Sequence, residues 1–208
     1  TLADWLALGL DSSGCDLGLT PGPLVGELSE EGRIRLIETP YRLPFENAAF
    51  DFVVSNQVME HVQDYPAVLD EVRRVLKPDG VCLHIFPSRY ILIEPHVFVP
   101  LASIIRNKAW MSLWAMAGVR TGTQRGLGWR QVVSENLAYL DSSTNYLSRK
   151  ELERQFGARF GRMAYAERSY LKHFPKKRGR MIAAVANAAP GVYWLFRECW
   201  MRVVILRR

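Results

Sequence analysis

Polar residues follow four predicted strands in the first half of the chain. Ligands of an open parallel sheet bind beyond the carboxyl ends of its strands, so these residues are placed to contact a small molecule. A strand-end carboxylate can accept hydrogen bonds from ribose hydroxyls and so indicates a nucleotide, although such an Asp also commonly caps a turn. The residues are Asp11 and Ser12, Glu38 and Thr39, Ser55 with Asn56 and Gln57, and Ser88.

The strands that position these residues are predicted from apolar patterning. Residues 5–10 form a short apolar run, residues 33–37 alternate with period two, and residues 50–54 and 81–86 are rich in β-branched and aromatic side chains. A helix capped by Asp64, with one apolar stripe, separates the last two strands. Such a strand–helix–strand unit has parallel strands and predicts an α/β fold.

Two longer segments carry the most specific signal. Residues 43–62 read LPFENAAFDFVVSNQVMEHV, and residues 69–80 read LDEVRRVLKPDG. The first resembles the LPF-x-x-x-x-FD-x-V-x-S-x-x-V-x-EH stretch of class I S-adenosylmethionine-dependent methyltransferases of the ubiquinone-biosynthesis-like family (methyltransferase type 11). The second is similar to that family's L-x-E-x-x-RVLKPGG helix and turn. The resemblance implies a Rossmann-like, three-layer α/β fold that binds S-adenosylmethionine.

The resemblance also implies which strand-end residues bind this cofactor. At the adenine position the family has an Asp-centred segment, and this chain has no Asp there. The implied cofactor-binding residues are Asp11 and Ser12 at the ribose, Glu38 and Thr39 at the adenine, and Asn56 and Gln57 at the methionine part.

His61 is the candidate catalytic residue, because it stands in the family's EH pair beside the active site. Methyl transfer from a sulfonium is an in-line displacement, so the protein mainly aligns the reactants, and a base is needed only where the acceptor loses a proton early. His84 and His96 are weaker candidates for that base. The alternative for His61 is a hydrogen-bonded structural role, and Glu60 is interpreted as structural, satisfying backbone groups near the following turn.

The family begins with a strand and a Gly-x-Gly-x-Gly loop, and no such segment precedes Trp5. The resemblance therefore implies that the sheet lacks its first strand and that the sequence begins after this loop. We expect a single domain over residues 1–208. Its parts are a cofactor-binding core at 5–90, a helical insertion or acceptor-side cap at 90–145, and a C-terminal part at 146–208 that completes the sheet.

Cysteine and histidine spacing predicts neither a disulfide framework nor a metal site. The three cysteines, at positions 15, 82 and 199, form no CxxC pair, which favours a reducing, cytoplasmic compartment. The four histidines, at 61, 84, 96 and 173, share no ligand spacing. The start of the sequence shows no basic segment before an apolar run, so no signal peptide is predicted.

Basic residues are concentrated near the C-terminus of this chain, whose formal net charge is +6. Five lie between Lys172 and Arg180, and arginines follow at 197, 202, 207 and 208. This region would suit phosphate or peripheral contact with an anionic membrane, and a solvated turn with a basic last strand is the alternative. Nucleic acid is not expected as a partner, because no motif interleaves aromatic with basic residues.

The sequence thus predicts methyl transfer from S-adenosylmethionine to an unidentified small molecule. Aromatic and apolar residues across 90–116 favour a partly hydrophobic acceptor, and the basic C-terminal region favours a phosphate-bearing one. Two alternatives remain open. One is a non-catalytic, methyltransferase-like binding module, and the other is a membrane-surface-associated protein.

Overall fold

The computed structural model describes residues 2–175 and 177–208 and contains helices and strands in alternation. The strands are β1 (Gly14–Asp16), β2 (Ile34–Leu36), β3 (Phe50–Asn56), β4 (Leu76–Pro87), β5 (Arg162–Tyr165) and β6 (Met201–Arg207). The helices are α1 (Leu2–Ala7), α2 (Pro23–Glu30), α3 (Tyr65–Val75), α4 (Lys108–Met116), α5 (Trp129–Ser143), α6 (Arg149–Gly157), α7 (Glu167–Lys172), α8 (Lys177–Ala188) and α9 (Gly191–Cys199). Short 3₁₀ turns cover Met59–His61 and Gly122–Gln124.

The main sheet is built on the predicted strand–helix–strand unit. Its strand order is β3-β4-β6-β5. Strands β3 and β4 pair in parallel on either side of α3 in the chain, whereas β6 runs antiparallel to both β4 and β5. The prediction of an α/β fold in which the strands before and after α3 pair in parallel is confirmed.

Helix α3 begins where the sequence predicts, because its first turn is capped. The Asp64 carboxylate accepts a hydrogen bond from the backbone N–H of Ala67 at 3.0 Å, and Pro66 occupies the first turn, where no intrahelical donor is needed. Leu69 and Val72 then face the sheet and are almost fully buried. This side of the sheet is the largest core, shared by α3, α6, β4 and β6.

A partly buried ion pair within α3 holds the loop that leads into β3. Glu71 and Arg74 contact each other at 2.7 Å. Glu71 accepts the backbone N–H of Leu43, while Arg74 donates to the carbonyl oxygens of Leu43 and Phe45 and to the Asn47 side chain, all within 3.0 Å. The E-x-x-R pattern of the helix therefore supplies the side chains, and the LPF pattern of the loop supplies the backbone groups, of the same set of hydrogen bonds.

The predicted first strand is wrong. Residues 2–7 form helix α1, and the first strand is the short segment Gly14–Asp16. Strand β1 pairs in parallel with β2 in a separate two-stranded sheet, with α2 between them in the chain. The apolar run at 5–10 is too short for periodicity to distinguish a helix from a strand.

Helices α4 and α5 form the predicted helical insertion between β4 and β5 and pack on each other around their own core. Helix α5 is absent from the sequence prediction. Met111 lies in that core, and Trp110 and Trp114 pack against it. These side chains are part of the apolar content that favoured a hydrophobic acceptor, so that content is at least partly explained by packing within the insertion.

Later elements agree in part with the sequence. A capping box of Ser148 and Glu151 opens α6, and β6 is the basic last strand that helps to complete the sheet. Between them, Arg162–Tyr165 is extended and residues 167–172 are helical. No helix over the described residues has both the length and the apolar character needed to cross a membrane.

Several basic residues near the C-terminus are used inside the fold. Arg197 pairs with the buried carboxylate of Glu167 at 3.0 Å, Arg202 is almost fully buried, and Arg208 donates to the carbonyl of Leu76. Within the basic run 172–180, residue 176 and the side chains of residues 177 and 178 lie outside what the structure describes. The internal arginines favour the alternative interpretation of a basic last strand for that part of the charge.

His84 of β4 makes stability depend on pH. Its ring stacks on Phe156 at 5.9 Å, its Nδ1 lies 2.7 Å from the Ser55 hydroxyl, and burial lowers its pKa to about 4. Because this pKa is depressed below the value of about 6.5 in an unfolded chain, the contribution of neutral His84 is complete above that value and is lost as pH falls towards the folded pKa.

We therefore expect the free energy of unfolding to fall between about pH 6.5 and pH 4 by up to ~1.4 kcal/mol per pH unit through this group. Denaturant unfolding of the wild type and of His84→Gln across this range measures the effect. The difference between the two proteins should change with pH, and a constant difference would contradict a neutral, buried His84.

Candidate active site

The 3₁₀ turn Met59–His61 follows β3 at the carboxyl end of the parallel pair. Gln57, in the left-handed region with φ of 57°, redirects the chain, and its backbone N–H donates to the carbonyl of Ile85 at 2.8 Å. The Tyr65 hydroxyl donates to the carbonyl of Met59 at 2.7 Å, and the N–H of Asn145 donates to that of Glu60 at 2.6 Å. The turn is thus fixed from β4, α3 and the segment after α5.

Two histidines from distant parts of the chain meet beside this turn. The rings of His61 and His96 lie 4.7 Å apart, edge to face, and Tyr139 of α5 lies 5.5 Å from His96. The Nδ1 atom of His61 lies 2.6 Å from the carbonyl oxygen of Ser143, which can only accept, so this nitrogen carries a proton. Both rings are partly accessible.

Glu94 is a fully buried carboxylate that orients His96. It accepts the backbone N–H groups of His96 and Val97 at 2.8 Å, the Tyr146 hydroxyl at 2.7 Å and His96 Nδ1 at 2.7 Å. Burial alone would raise its pKa, but the hydrogen bonds from His96, Tyr146 and the Val97 backbone lower it below the usual value. The hydrogen bond that His96 donates to Glu94 in turn raises the pKa of His96.

Glu60 presents the opposite situation. It is 1% exposed, and neither carboxylate oxygen has a hydrogen-bond partner among the described residues. Burial raises its pKa. The interpretation of Glu60 as a residue that satisfies backbone groups is therefore wrong. A buried carboxylate without partners is costly, which marks it as a residue kept for something other than stability.

A cleft of about 410 Å³ opens next to the histidine pair. His96, Val97 and Tyr139 form one part of its wall, and polar residues of the insertion form the rest. Those polar residues are Thr121, Thr123, Gln124, Glu135 and Asn136. A small molecule bound here would contact the His96 ring and several hydrogen-bonding groups.

The predicted ribose residue Asp11 does not end a strand. It lies in the segment between α1 and β1, its side chain is 89% exposed, and it forms an ion pair with Arg33. Ser12 is buried and donates to the carbonyl of Leu10. Asp16 occupies the end of β1 instead, where its carboxylate is exposed and accepts the N–H of Gly18 at 3.3 Å.

The predicted site residues, catalytic and cofactor-binding, fall into two groups. Asp11, Ser12, Glu38 and Thr39 belong to the region of the two-stranded sheet, and Glu38 and Thr39 are exposed after β2. The other group, Asn56, Gln57 and His61, lies at the end of β3. Over the described residues, no hydrogen bond or ion pair connects the two groups.

Three residues of the site were missed or undervalued at the sequence level. Asp16 could have been found from the short strand–helix–strand pattern of β1, α2 and β2 with its Pro23 start. Glu94 stands two residues before His96 after the fourth predicted strand, where a polar pair could orient a substrate or serve loop packing, whereas Tyr146 carries no sequence signal of its own and meets Glu94 only through the tertiary fold. The prediction of no metal site was based on spacing alone, whereas Glu60, His61 and His96 lie together in space.

Comparison with known proteins finds similarity in the first part of the chain. A family model described as a methyltransferase domain matches residues 5–84. An uncharacterized methyltransferase of Schizosaccharomyces pombe is 51% identical over 43 residues, which cover 20% of this chain and 16% of that protein. The mitochondrial arginine-hydroxylase NDUFAF5 of Danio rerio is 36% identical over 65 residues, or 31% of this chain and 20% of the relative. The matched segments thus span a fifth or less of these relatives.

Solved structures that match this chain do so at low sequence identity. Geranyl diphosphate C-methyltransferase from Streptomyces coelicolor A3(2) is 14% identical, with a TM-score of 0.47, 99% of this chain covered and 64% of the other. An S-adenosylmethionine-dependent methyltransferase from Mesorhizobium loti is 13% identical, with a TM-score of 0.48 and coverage of 99% and 85%. The resemblance inferred from residues 43–86 is confirmed by the family match.

The contribution of the four hydrogen bonds to Glu94 can be tested by mutation of the acceptor and of one donor. In Glu94→Gln an amide NH₂ replaces one acceptor oxygen and faces donors, so we expect a loss of about 2–3 kcal/mol in the free energy of unfolding. Tyr146→Phe removes a single donor and should cost about 1 kcal/mol. Denaturant unfolding measures both. Equal losses in the two variants would contradict the central role of Glu94.

Proposed function

We propose that this protein transfers the methyl group of S-adenosylmethionine to a small-molecule acceptor, because residues 5–84 match a family model described as a methyltransferase domain. The observation that carries the proposal is the end of β3, where the motif residues 55–62 lie beside a polar cleft and two histidines. The strand end would hold the cofactor, and the cleft would hold the acceptor.

Asp16 is the proposed ribose-binding residue. It combines the two properties that the role requires, a position at the carboxyl end of a parallel strand and an exposed carboxylate. Asp11 has the exposure without the strand, and Arg33 already neutralises its charge. Asn56 and Gln57 are exposed where the methionine part would lie in the family, and their amides are suited to an amino-acid moiety.

The acceptor side of the reaction is assigned to His61, His96 and the cleft. Displacement at a sulfonium methyl group needs alignment of the nucleophile with the methyl group more than chemical assistance. An acceptor hydroxyl or amine that loses its proton would do so in this cluster, where two imidazoles are partly accessible. The polar wall of the cleft favours an acceptor with hydrogen-bonding groups.

Calorimetric titration with S-adenosylmethionine and S-adenosylhomocysteine tests the cofactor assignment. We expect Asp16→Ala to weaken binding about 10- to 100-fold, because a hydrogen bond to a charged group contributes roughly 1.5–3 kcal/mol. Asp11→Ala is the matched control. It removes an exposed Asp five positions earlier and should leave the affinity within about twofold.

Each other outcome has a distinct meaning. Binding that falls in Asp11→Ala and not in Asp16→Ala would restore Asp11 as the ribose residue. Loss of binding in neither variant would remove the ribose role from both. Failure of the wild-type chain to bind either compound would contradict the proposed activity and favour a non-catalytic binding module.

We further propose that α8 and α9 contact a membrane surface. Each helix buries one face in a shared core and exposes large apolar side chains on the other. Basic residues, including the exposed Lys172 and Arg180, lie in or next to this region. Exposed apolar groups combined with basic ones suit an anionic lipid interface. The exposed apolar residues are Met181, Val185, Trp194, Leu195 and Trp200.

Cosedimentation with vesicles tests this contact. We expect binding to vesicles that contain phosphatidylglycerol, weaker binding to phosphatidylcholine alone, and at least a tenfold loss in a Trp194→Glu and Leu195→Glu double variant. Leu113→Glu changes an equally exposed apolar residue of α4 and serves as the control. Equal binding by all three proteins would contradict a membrane surface at α9.

A further inference from the structure

We propose that Glu60, His61 and His96 form a binding site for a divalent transition-metal ion. One ligand atom from each residue lies within 4.8 Å of the other two. An ion bound at about 2.0–2.2 Å from each atom would bring them to roughly 3–4 Å from one another, so small side-chain rotations would complete the site. His61 and Glu60 come from one 3₁₀ turn, and His96 comes from the loop after β4.

Both imidazoles are already oriented as metal ligands are. A ligating histidine usually donates its other ring N–H to a carboxylate or a backbone carbonyl, which fixes the tautomer. His96 has this contact to Glu94 at 2.7 Å, and His61 has it to the carbonyl of Ser143 at 2.6 Å. In each ring the Nδ1 atom is occupied, and the Nε2 lone pair is left for an ion.

Glu60 supplies the independent observation. Its carboxylate is 1% exposed and has no hydrogen-bond partner within the described part of the chain. Buried carboxylates are normally paired or coordinate metals. The buried carboxylate of Glu94, by contrast, is satisfied by four hydrogen bonds from neighbouring groups that it holds in place. An ion would satisfy Glu60 in the same way.

The ligand types define the class of ion. Two imidazoles and one carboxylate suit zinc, iron, cobalt and related ions, whereas magnesium and calcium prefer sites made of oxygen atoms. Three protein ligands leave at least one coordination position open. His96 also lines the 410 Å³ cleft, so the open position would be reachable by water or by an oxygen atom of a bound molecule.

This inference deepens the acceptor side of the proposed function, and its role in catalysis depends on that function. An acceptor hydroxyl bound to the ion would lose its proton more readily, because a bound cation lowers the pKa of a coordinated hydroxyl. Metal binding itself does not depend on methyl transfer. The two proposals can therefore fail separately.

Cobalt(II) titration tests the site directly. The metal-free protein, prepared with a chelator, is titrated with Co²⁺ while visible absorption is recorded, and zinc affinity is then measured by competition. We expect visible absorption bands that saturate at one ion per chain. Glu60→Gln and His96→Gln should each weaken binding at least tenfold, and Glu94→Gln should weaken it about 10- to 100-fold through the orientation of His96.

His173→Gln is the matched control, because it removes a histidine at the end of α7, away from the cluster. It should leave the affinity unchanged. Circular dichroism establishes that each variant is folded, and should a variant unfold, X-ray absorption of the wild-type protein with zinc still counts its imidazole ligands, with two expected. Wild-type binding weaker than about millimolar, or an equal loss in His173→Gln, would overturn the proposal. Cofactor binding without metal binding would overturn this inference and leave the proposed function intact.

Discussion

The parallel pairing of β3 with β4 is the constraint from which the site follows. At the start of β3, Glu71 and Arg74 hold the incoming loop against α3. At its end, the N–H of Gln57 continues the ladder to Ile85 before the chain turns. Contacts at both ends of β3 therefore fix where the turn that carries Glu60 and His61 begins. The left-handed backbone conformation of Gln57 fixes the direction of that turn. A shift of one residue in this pairing would move every motif side chain to the other face of the sheet.

Two buried glutamates near this turn are treated in contrasting ways. Glu94 is surrounded by donors, and its pKa is lowered, whereas the Glu60 carboxylate has no hydrogen-bond partner among the residues that the structure describes, and its pKa is raised. Environments that shift the pKa values of two neighbouring carboxyl groups in opposite directions are characteristic of sites that use the two groups for different tasks. Here the Glu94 carboxylate fixes the position of His96, and the Glu60 carboxylate is left to interact with a ligand of the Glu60, His61 and His96 cluster. Glu94 stabilises the fold through its hydrogen bonds, whereas burial of Glu60 costs stability.

Helices and strands that carry a local sequence signal could be predicted, whereas the grouping of the site residues depends on contacts between distant segments of the chain. Helix α3 could be predicted because the Asp64 cap and the apolar stripe lie within one segment of the chain. Residues 5–10 could not be assigned, because a short apolar run fits either a helix or a strand. With the first strand at Gly14–Asp16, the carboxylate at its carboxyl end is that of Asp16 and not that of Asp11. The cluster of His61 with His96 was beyond prediction, because these residues meet only after the insertion has packed on the core.

The position of β3 has a consequence for the behaviour of the isolated molecule. In the described part of the chain, β3 has a neighbouring strand on one side only, and Phe52 on it is about half exposed. An open strand edge is a template to which another extended chain can add through backbone hydrogen bonds. The colloidal stability of this protein therefore depends on the protection of that edge as well as on its net charge of +6.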